Sequence, residues 1–87
     1  MKSNVIDWNN IIKKEVRGLN NEDFGEVQYI QDNFIIVERG AINKERFYFP
    51  IEKVEGYDSN ILKIRLVEFE LIEYQDKPFN KEKKLYI

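Results

Sequence analysis

Carboxylates are the residues of this 87-residue chain whose types and spacing come nearest to catalytic chemistry. A pair of carboxylates can act as general acid and general base, and Glu68 and Glu70 form one such pair. They alternate with apolar residues, which is typical of the solvated face of a single element. Asp23, Glu26 and Asp58 stand beside predicted turns, where acidic residues are expected. The carboxylates therefore predict no catalytic site.

The chain contains neither histidine nor cysteine. This removes the most common general base at neutral pH and the most common metal ligand. It also excludes a disulfide framework and a thiolate site. The sequence has no glycine-rich phosphate loop and no metal-ligand spacing. We therefore predict a protein that is not an enzyme and that holds no metal or cofactor.

Basic residues concentrate at the C-terminal end. Residues 76–87 contain two acidic residues and four lysines, which are Lys77, Lys81, Lys83 and Lys84. The net charge of −2 then leaves the preceding part clearly acidic. Lysines beside Tyr86 could contact RNA, although the acidic body disfavours phosphate binding. The alternative is a solvated, flexible tail. We predict such a tail over residues 76–87, and we regard nucleic acid as a disfavoured partner.

Length and composition predict one small globular domain. A chain of 87 residues with 43% apolar and 34% charged residues falls within the usual range for such domains. No apolar run is long enough to span a membrane, and the N-terminal residues lack the apolar core of a signal peptide. We therefore predict a cytoplasmic protein with a domain over residues 1–75.

Short β-rich runs separated by turn residues predict an all-β fold. Two central runs meet at Asp32 and Asn33, which can adopt the backbone angles of a two-residue hairpin turn. Gly25 predicts a bend or a close backbone approach, and Pro50 should end a strand or lie on an edge. Strands are predicted over six ranges, 12–17, 24–30, 34–39, 46–50, 54–57 and 61–66.

The ends of this pattern predict helical turns. Asp7 is expected to cap a short turn that begins at Trp8. Trp8 is interpreted either as a lid over one end of a small β-barrel or as an exposed contact with a partner. Residues 67–74 alternate like a strand but also carry a weaker helical pattern, so both readings stay open. Residues 34–37 are apolar throughout, which predicts burial on both faces. The predicted core is Val16, Val27, Ile36, Phe47, Phe49, Leu62 and Ile64.

Over residues 7–74 the chain resembles the PRC-barrel family. The resemblance is carried by four short motifs and by Leu62. The motifs are Lys-Glu-Val at 14–16, Phe-Gly-Glu-Val at 24–27, Phe-Tyr-Phe-Pro at 47–50 and Val-Glu-Gly-Tyr-Asp at 54–58. It implies a small, strongly bent antiparallel β-barrel with a short C-terminal helix at 67–74. Relatives often carry a serine cap near 67–70 that this chain lacks, and residues after Gln75 have no counterpart.

The resemblance also implies a function. It is closest to small stand-alone archaeal proteins of this family, some of which take part in cell division. It thus implies a non-catalytic adaptor or assembly module that binds another protein. The family also includes the C-terminal domain of the bacterial ribosome maturation factor, so an RNA- or ribosome-associated binding module is the alternative.

Aromatic residues give the candidate contact surface. A small barrel cannot easily enclose all twelve of them (six Phe, five Tyr and one Trp), and an exposed apolar patch usually marks an interaction surface. We expect such a patch to support either a homodimer or the binding of another protein. The C-terminal residues could add to it as an extra strand. The predicted partner-binding residues are Trp8, Tyr48, Phe69, Tyr74, Leu85, Tyr86 and Ile87.

Overall fold

The computed structural model of the protein describes residues 6–75, which form a six-stranded sheet and three 3-10 helices. The strands are β1 (Glu15–Arg17), β2 (Asp23–Gln31), β3 (Phe34–Arg39), β4 (Glu45–Pro50), β5 (Val54–Asp58) and β6 (Ile61–Ile64). The helices are η1 (Trp8–Ile11), η2 (Ile51–Lys53) and η3 (Glu68–Tyr74). None of these helices is long and apolar enough to cross a membrane. The predicted tail lies outside the described residues.

The strand order in the sheet is β4-β3-β2-β1-β6-β5. Four of the strand pairs are antiparallel, whereas β1 and β6 are parallel. Within residues 6–75 no ladder joins the two edge strands, β4 and β5, because β4 ends at Pro50 and η2 turns the chain before β5 begins. The predicted β-rich, mostly antiparallel fold is confirmed, whereas its closure into a barrel is not.

Local turn chemistry sets the two tight hairpins. Asp32 and Asn33 have φ values of 53° and 68°, and Ser59 and Asn60 have 54° and 67°. Positive φ at both central residues is the requirement of a type I′ turn, which suits the twist of the strands. Gly25 has φ 108°, and a Cβ at this position would collide with the carbonyl oxygen of Glu38. The predicted hairpin and the close backbone approach at Gly25 are therefore confirmed.

Two predicted strands are too long. The strand predicted from residue 12 begins only at Glu15, because Lys13 has φ 71° and interrupts the extended backbone. The strand predicted to residue 66 ends at Ile64, and the N–H of Arg65 leaves the ladder to donate to the carbonyl of Lys53 at 2.7 Å. The other four strands agree with the prediction within one residue at each end.

The core occupies the inner face of the sheet. All seven predicted core residues are buried, six of them in this core with others such as Phe24 and Leu71, and Ile36 on the opposite face. Phe49 stacks on Phe47 with ring centroids 5.6 Å apart, and its centroid lies 5.9 Å from that of Phe24. These aromatic contacts provide much of the buried apolar area that stabilises so small a fold.

The outer face of β3 is only partly covered, which corrects one prediction. Ile36 is fully buried on this face, directly between Tyr29 of β2 and Tyr48 of β4. Phe34 lies on the same face beside the hairpin turn, opposite Pro50, and is 39% exposed. Burial on both faces therefore holds for residues 35–37 but not for Phe34.

Residues 68–74 form η3, so the short terminal helix is confirmed and the strand alternative is wrong. Two carboxylates accept hydrogen bonds from the backbone at the start of η3. The N–H of Val67 donates to Glu70, and the N–H of Glu68 donates to Glu22, each at 2.9 Å. Burial tends to raise the pKa of Glu22, but the donated backbone N–H groups outweigh it and the pKa is lowered. The start of η3 is thus capped by one local carboxylate, Glu70, and one distant carboxylate, Glu22.

Candidate partner-binding groove

An open groove of about 1100 Å³ runs along β5, the strand at one edge of the sheet. Its apolar wall consists of side chains that are half-buried because one side of each packs on the core, namely Ile6, Trp8, Ile51, Val54 and Tyr57. A concave, largely preformed site with an apolar wall and a polar rim is the usual form of a binding site. We call this site the β5 groove.

The N-terminal helix η1 holds Trp8 at the β5 groove. The carboxylate of Asp7 accepts a hydrogen bond from the N–H of Asn9 at 3.1 Å, as predicted for the N-cap. The hydroxyl of Tyr57 on β5 donates to the carbonyl of Asn10 at 3.4 Å and so links the two elements. Trp8 therefore packs on the core and also faces the groove, which combines features of both interpretations made from the sequence.

The outer edge of β5 is open. In the described part of the chain β5 pairs only with β6, and apart from the N–H of Val54, which donates to the carbonyl of Ile51 at the start of the strand, no backbone hydrogen bond reaches its other side. Asp58 and Ile61 flank the two-residue turn and are paired. Because bonded and non-bonded residues alternate along an antiparallel ladder, the N–H and C=O of the preceding Tyr57 point away from β6. The β5 groove thus contains backbone groups that are able to pair with another strand.

Gly56, in the middle of β5, leaves the β5 groove open beside the backbone. A Cβ at Gly56 would meet no atom within 4 Å, and its φ is not in the left-handed region. The other glycines are required by the fold, because Gly25 and Gly40 have positive φ and a Cβ at Gly18 would overlap the ring of Phe24. A strand glycine costs about 0.5–1 kcal/mol relative to alanine. Gly56 stands at an irregularity of the β5–β6 ladder, where the register shifts between Val54 and Gly56, and a bulge is a usual place for a strand glycine.

Two cations lie on the rim of the β5 groove in one cross-strand row. Arg17 of β1 is paired with Lys63 of β6, and Lys63 is paired with Gly56 of β5. The guanidinium of Arg17 contacts the carboxylate of Glu15 and donates to the carbonyl of Asn21 at 3.1 Å. Lys63 is exposed and forms no ion pair within residues 6–75. Like charges directly opposite each other in a sheet are usually destabilising.

A second, charged cleft lies on the outer face around Gly25. Its lining mixes cations such as Lys13 and Lys44 with carboxylates such as Glu26 and Glu38. Hydrogen bonds from Arg46 lower the pKa of Glu38, so this carboxylate is already paired. No group of acidic residues within residues 6–75 is arranged to hold a metal ion. The cleft therefore lacks the features of a separate chemical site.

The structure does not gather the predicted partner-binding residues into one patch. Trp8 lines the β5 groove, whereas Tyr48 lies on the outer face of β4 beside Ile36. Phe69 is 81% exposed on η3, and Tyr74 packs edge-on against Phe49 with ring centroids 6.0 Å apart. The remaining predicted residues, Leu85, Tyr86 and Ile87, lie outside the described residues.

Sequence reasoning did not select the other residues of the β5 groove. Gly56 and Tyr57 fall within the predicted strand 54–57 and Lys63 within the predicted strand 61–66. Nothing local shows that β5 is an edge strand. The one local signal is Gly56, since a glycine within a strand often marks either a bulge or a close approach by another backbone.

No model of a known protein family matches the chain, and no curated protein matches it significantly. The function of the chain is therefore inferred from the geometry and chemistry of its own residues.

Proposed function

We propose that the protein is a non-catalytic binding module that takes up an extended segment of another protein along β5. The observation that carries this proposal is the open backbone edge of β5 beside the apolar wall of the β5 groove. An extended peptide can add to such an edge through main-chain hydrogen bonds, while its alternate side chains enter neighbouring pockets. Trp8 and Tyr57 belong to the residue types that contribute most to binding energy at interfaces.

The distribution of charge supports a protein partner over RNA. Arg17, Arg39 and Arg46 are each paired with a carboxylate. Phosphate contacts need clustered cations that are free to release counterions. The resemblance to the PRC-barrel family implies the same class of function, an adaptor or assembly module that works by binding.

Peptide display with the full chain as bait tests the proposal. Trp8 is the only tryptophan of the chain and lines the β5 groove, so its fluorescence reports on occupancy of the groove. Selected peptides should shift the emission of Trp8 and slow the hydrogen exchange of amides in β5, above all that of Tyr57. Peptides that bind without either effect would place the binding site elsewhere.

A matched variant separates the β5 groove from the other aromatic residues. Phe69 lies on η3 and has the most exposed aromatic side chain among the described residues, and Phe69→Ser removes it. We expect this variant to bind the selected peptides as tightly as the wild type. Loss of binding in Phe69→Ser would instead move the site to η3.

A second copy of the chain is one partner that this geometry allows, because an open edge can pair with an identical edge. Sedimentation equilibrium at micromolar concentration measures this directly. A mass near 10.5 kDa at every concentration means that the chain does not pair with itself and that the partner is a different protein.

A further inference from the structure

One row of residues that are paired across neighbouring strands, on the outer face of the sheet, ends at the open edge of β5. Arg17, Lys63 and Gly56 follow one another across β1, β6 and β5. Beyond Gly56 lies the open edge where the proposed partner segment would add. The next position of this row would thus be a residue of that segment.

The charge in this row is not balanced by the described residues. Glu15 pairs with Arg17, but no carboxylate of residues 6–75 lies within ion-pair distance of Lys63. The adjacent row on the same face contains Glu15 and Asp58, on either side of Ile61. Asp58 is therefore diagonal to Lys63, and neither side chain reaches the other in an ion pair.

We propose that the segment that binds β5 carries an aspartate or glutamate opposite Gly56, and that its carboxylate pairs with Lys63. Neighbouring strands are about 4.8 Å apart, so a residue two strands from Lys63 has its backbone about 10 Å away. Two long side chains that extend toward each other can span this distance. A side chain at the middle position would block them, and Gly56 has none. This inference rests on the proposed function.

The same geometry explains why an acidic residue would be selected. A strand added to β5 removes water from the surroundings of Lys63, and a cation that loses water without gaining a partner is unfavourable. A carboxylate in the partner compensates for this loss, whereas a lysine or arginine at that position adds repulsion. Lys63 therefore acts as a specificity determinant, while the backbone of β5 and the apolar wall provide the general affinity.

Peptide display with variant baits tests the inference. Peptides selected by the wild type should share an aspartate or glutamate at one position of an otherwise alternating sequence. The Lys63→Glu bait should select lysine or arginine at that same position. The Gly56→Val bait should lose the preference, because valine suits a strand but its side chain fills the gap. Lys44→Glu, an exposed lysine before β4, is the matched control and should keep the acidic preference.

The binding affinity of one selected peptide for the wild type and for a Lys63 variant tests the proposed ion pair directly. Exchange of its acidic residue for the corresponding amide should weaken binding to the wild type about tenfold, the scale of a hydrogen bond between charged groups. The same exchange should leave binding to Lys63→Gln nearly unchanged, since the pair is already broken.

The outcomes separate the two proposals. Peptides that protect the amides of β5 but show no acidic preference would overturn this inference and leave the proposed function in place. The same holds if Lys63→Glu keeps the preference of the wild type. If no selected peptide protects β5, the proposed function fails and this inference fails with it.

Discussion

The guanidinium of Arg39 donates two hydrogen bonds to the carboxylate of Glu68, with N–O distances of 3.0 and 3.1 Å. Arg39 ends β3 and Glu68 begins η3, so this bidentate pair joins the sheet to the terminal helix. The same guanidinium lies 5.3 Å from the ring centroid of Phe47 and donates to Glu45 at 2.9 Å. A planar group with several donors is required for all of these contacts.

Arg39→Lys should therefore loosen η3 even though the charge is kept. We expect a loss of about 1 kcal/mol in the free energy of unfolding, because the pair is partly exposed to solvent. Urea titration measures this loss, and hydrogen exchange should show faster exchange in η3 than in β2. Arg65→Lys serves as the control, because Arg65 is exposed and among the described residues its guanidinium donates only to the carbonyl of Glu52. Unchanged exchange in η3 would mean that the helix is held without Arg39, by the burial of Leu71, the packing of Tyr74 on Phe49 and the hydrogen bond to Glu22.

Phe49→Ala should be among the most destabilising substitutions. Phe49 is fully buried and packs against Phe47, Phe24 and Tyr74. Truncation of a core phenylalanine usually costs about 3–5 kcal/mol. In urea titration, Phe69→Ala should change the free energy of unfolding by less than about 0.5 kcal/mol because its side chain is exposed. A cost below about 1 kcal/mol for Phe49→Ala would contradict the core packing described above.

Gly25→Ala and Gly56→Ala should have opposite effects on stability. At Gly25 a methyl group meets the carbonyl of Glu38 and the backbone has φ 108°, so we expect a loss of about 2 kcal/mol or more. At Gly56 the space is open, and alanine should be neutral or stabilise by up to about 1 kcal/mol. Thermal and urea unfolding of the two variants test this contrast. Equal losses would show that β5 is not open at Gly56.

The free energy of unfolding should decrease at acid pH, in part because Glu38 becomes protonated. Hydrogen bonds from Arg46 lower the pKa of this carboxyl from its ordinary value of 4.5. A group with a lowered folded pKa contributes stability above its unfolded pKa and loses it as the pH falls through the folded pKa. Glu38→Gln should thus reduce the pH dependence of the unfolding free energy below about pH 4.5.

Arg46→Met provides the complementary test of this ion pair. It removes the donor to Glu38 and should reduce the same pH dependence. Urea titrations between neutral pH and the acid range give the slopes for both variants. Slopes equal to that of the wild type in both cases would show that other carboxyls dominate the acid response.

Features that depend on neighbouring residues were predictable from the sequence. Asp32 and Asn33 specify their turn because few residues adopt positive φ at low cost. Pro50 marks the end of an edge strand because it has no N–H to donate. Alternation of apolar residues placed Leu62 and Ile64 in the core.

Features that depend on distant residues were not predictable in the same way. The choice of helix for residues 68–74 is supported by Glu22 and Arg39, which lie far away in the chain. The left-handed backbone at Lys13 has no local signal, since lysine is not a turn residue. The β5 groove exists only because η1 packs beside β5, and no sequence period reports that contact.

The parallel pairing of β1 with β6 has a consequence for how the chain folds. The hairpins β2–β3, β3–β4 and β5–β6 join strands that are consecutive in sequence and can form quickly. Val16 of β1 pairs with Leu62 of β6, although strands β2 to β5 lie between them in the sequence. Closing so long a loop is entropically costly and slows folding. During synthesis β1 can complete its pairing only after β6 has emerged. A nascent chain that stops before residue 61 therefore exposes β1 as an unpaired edge, open to aggregation.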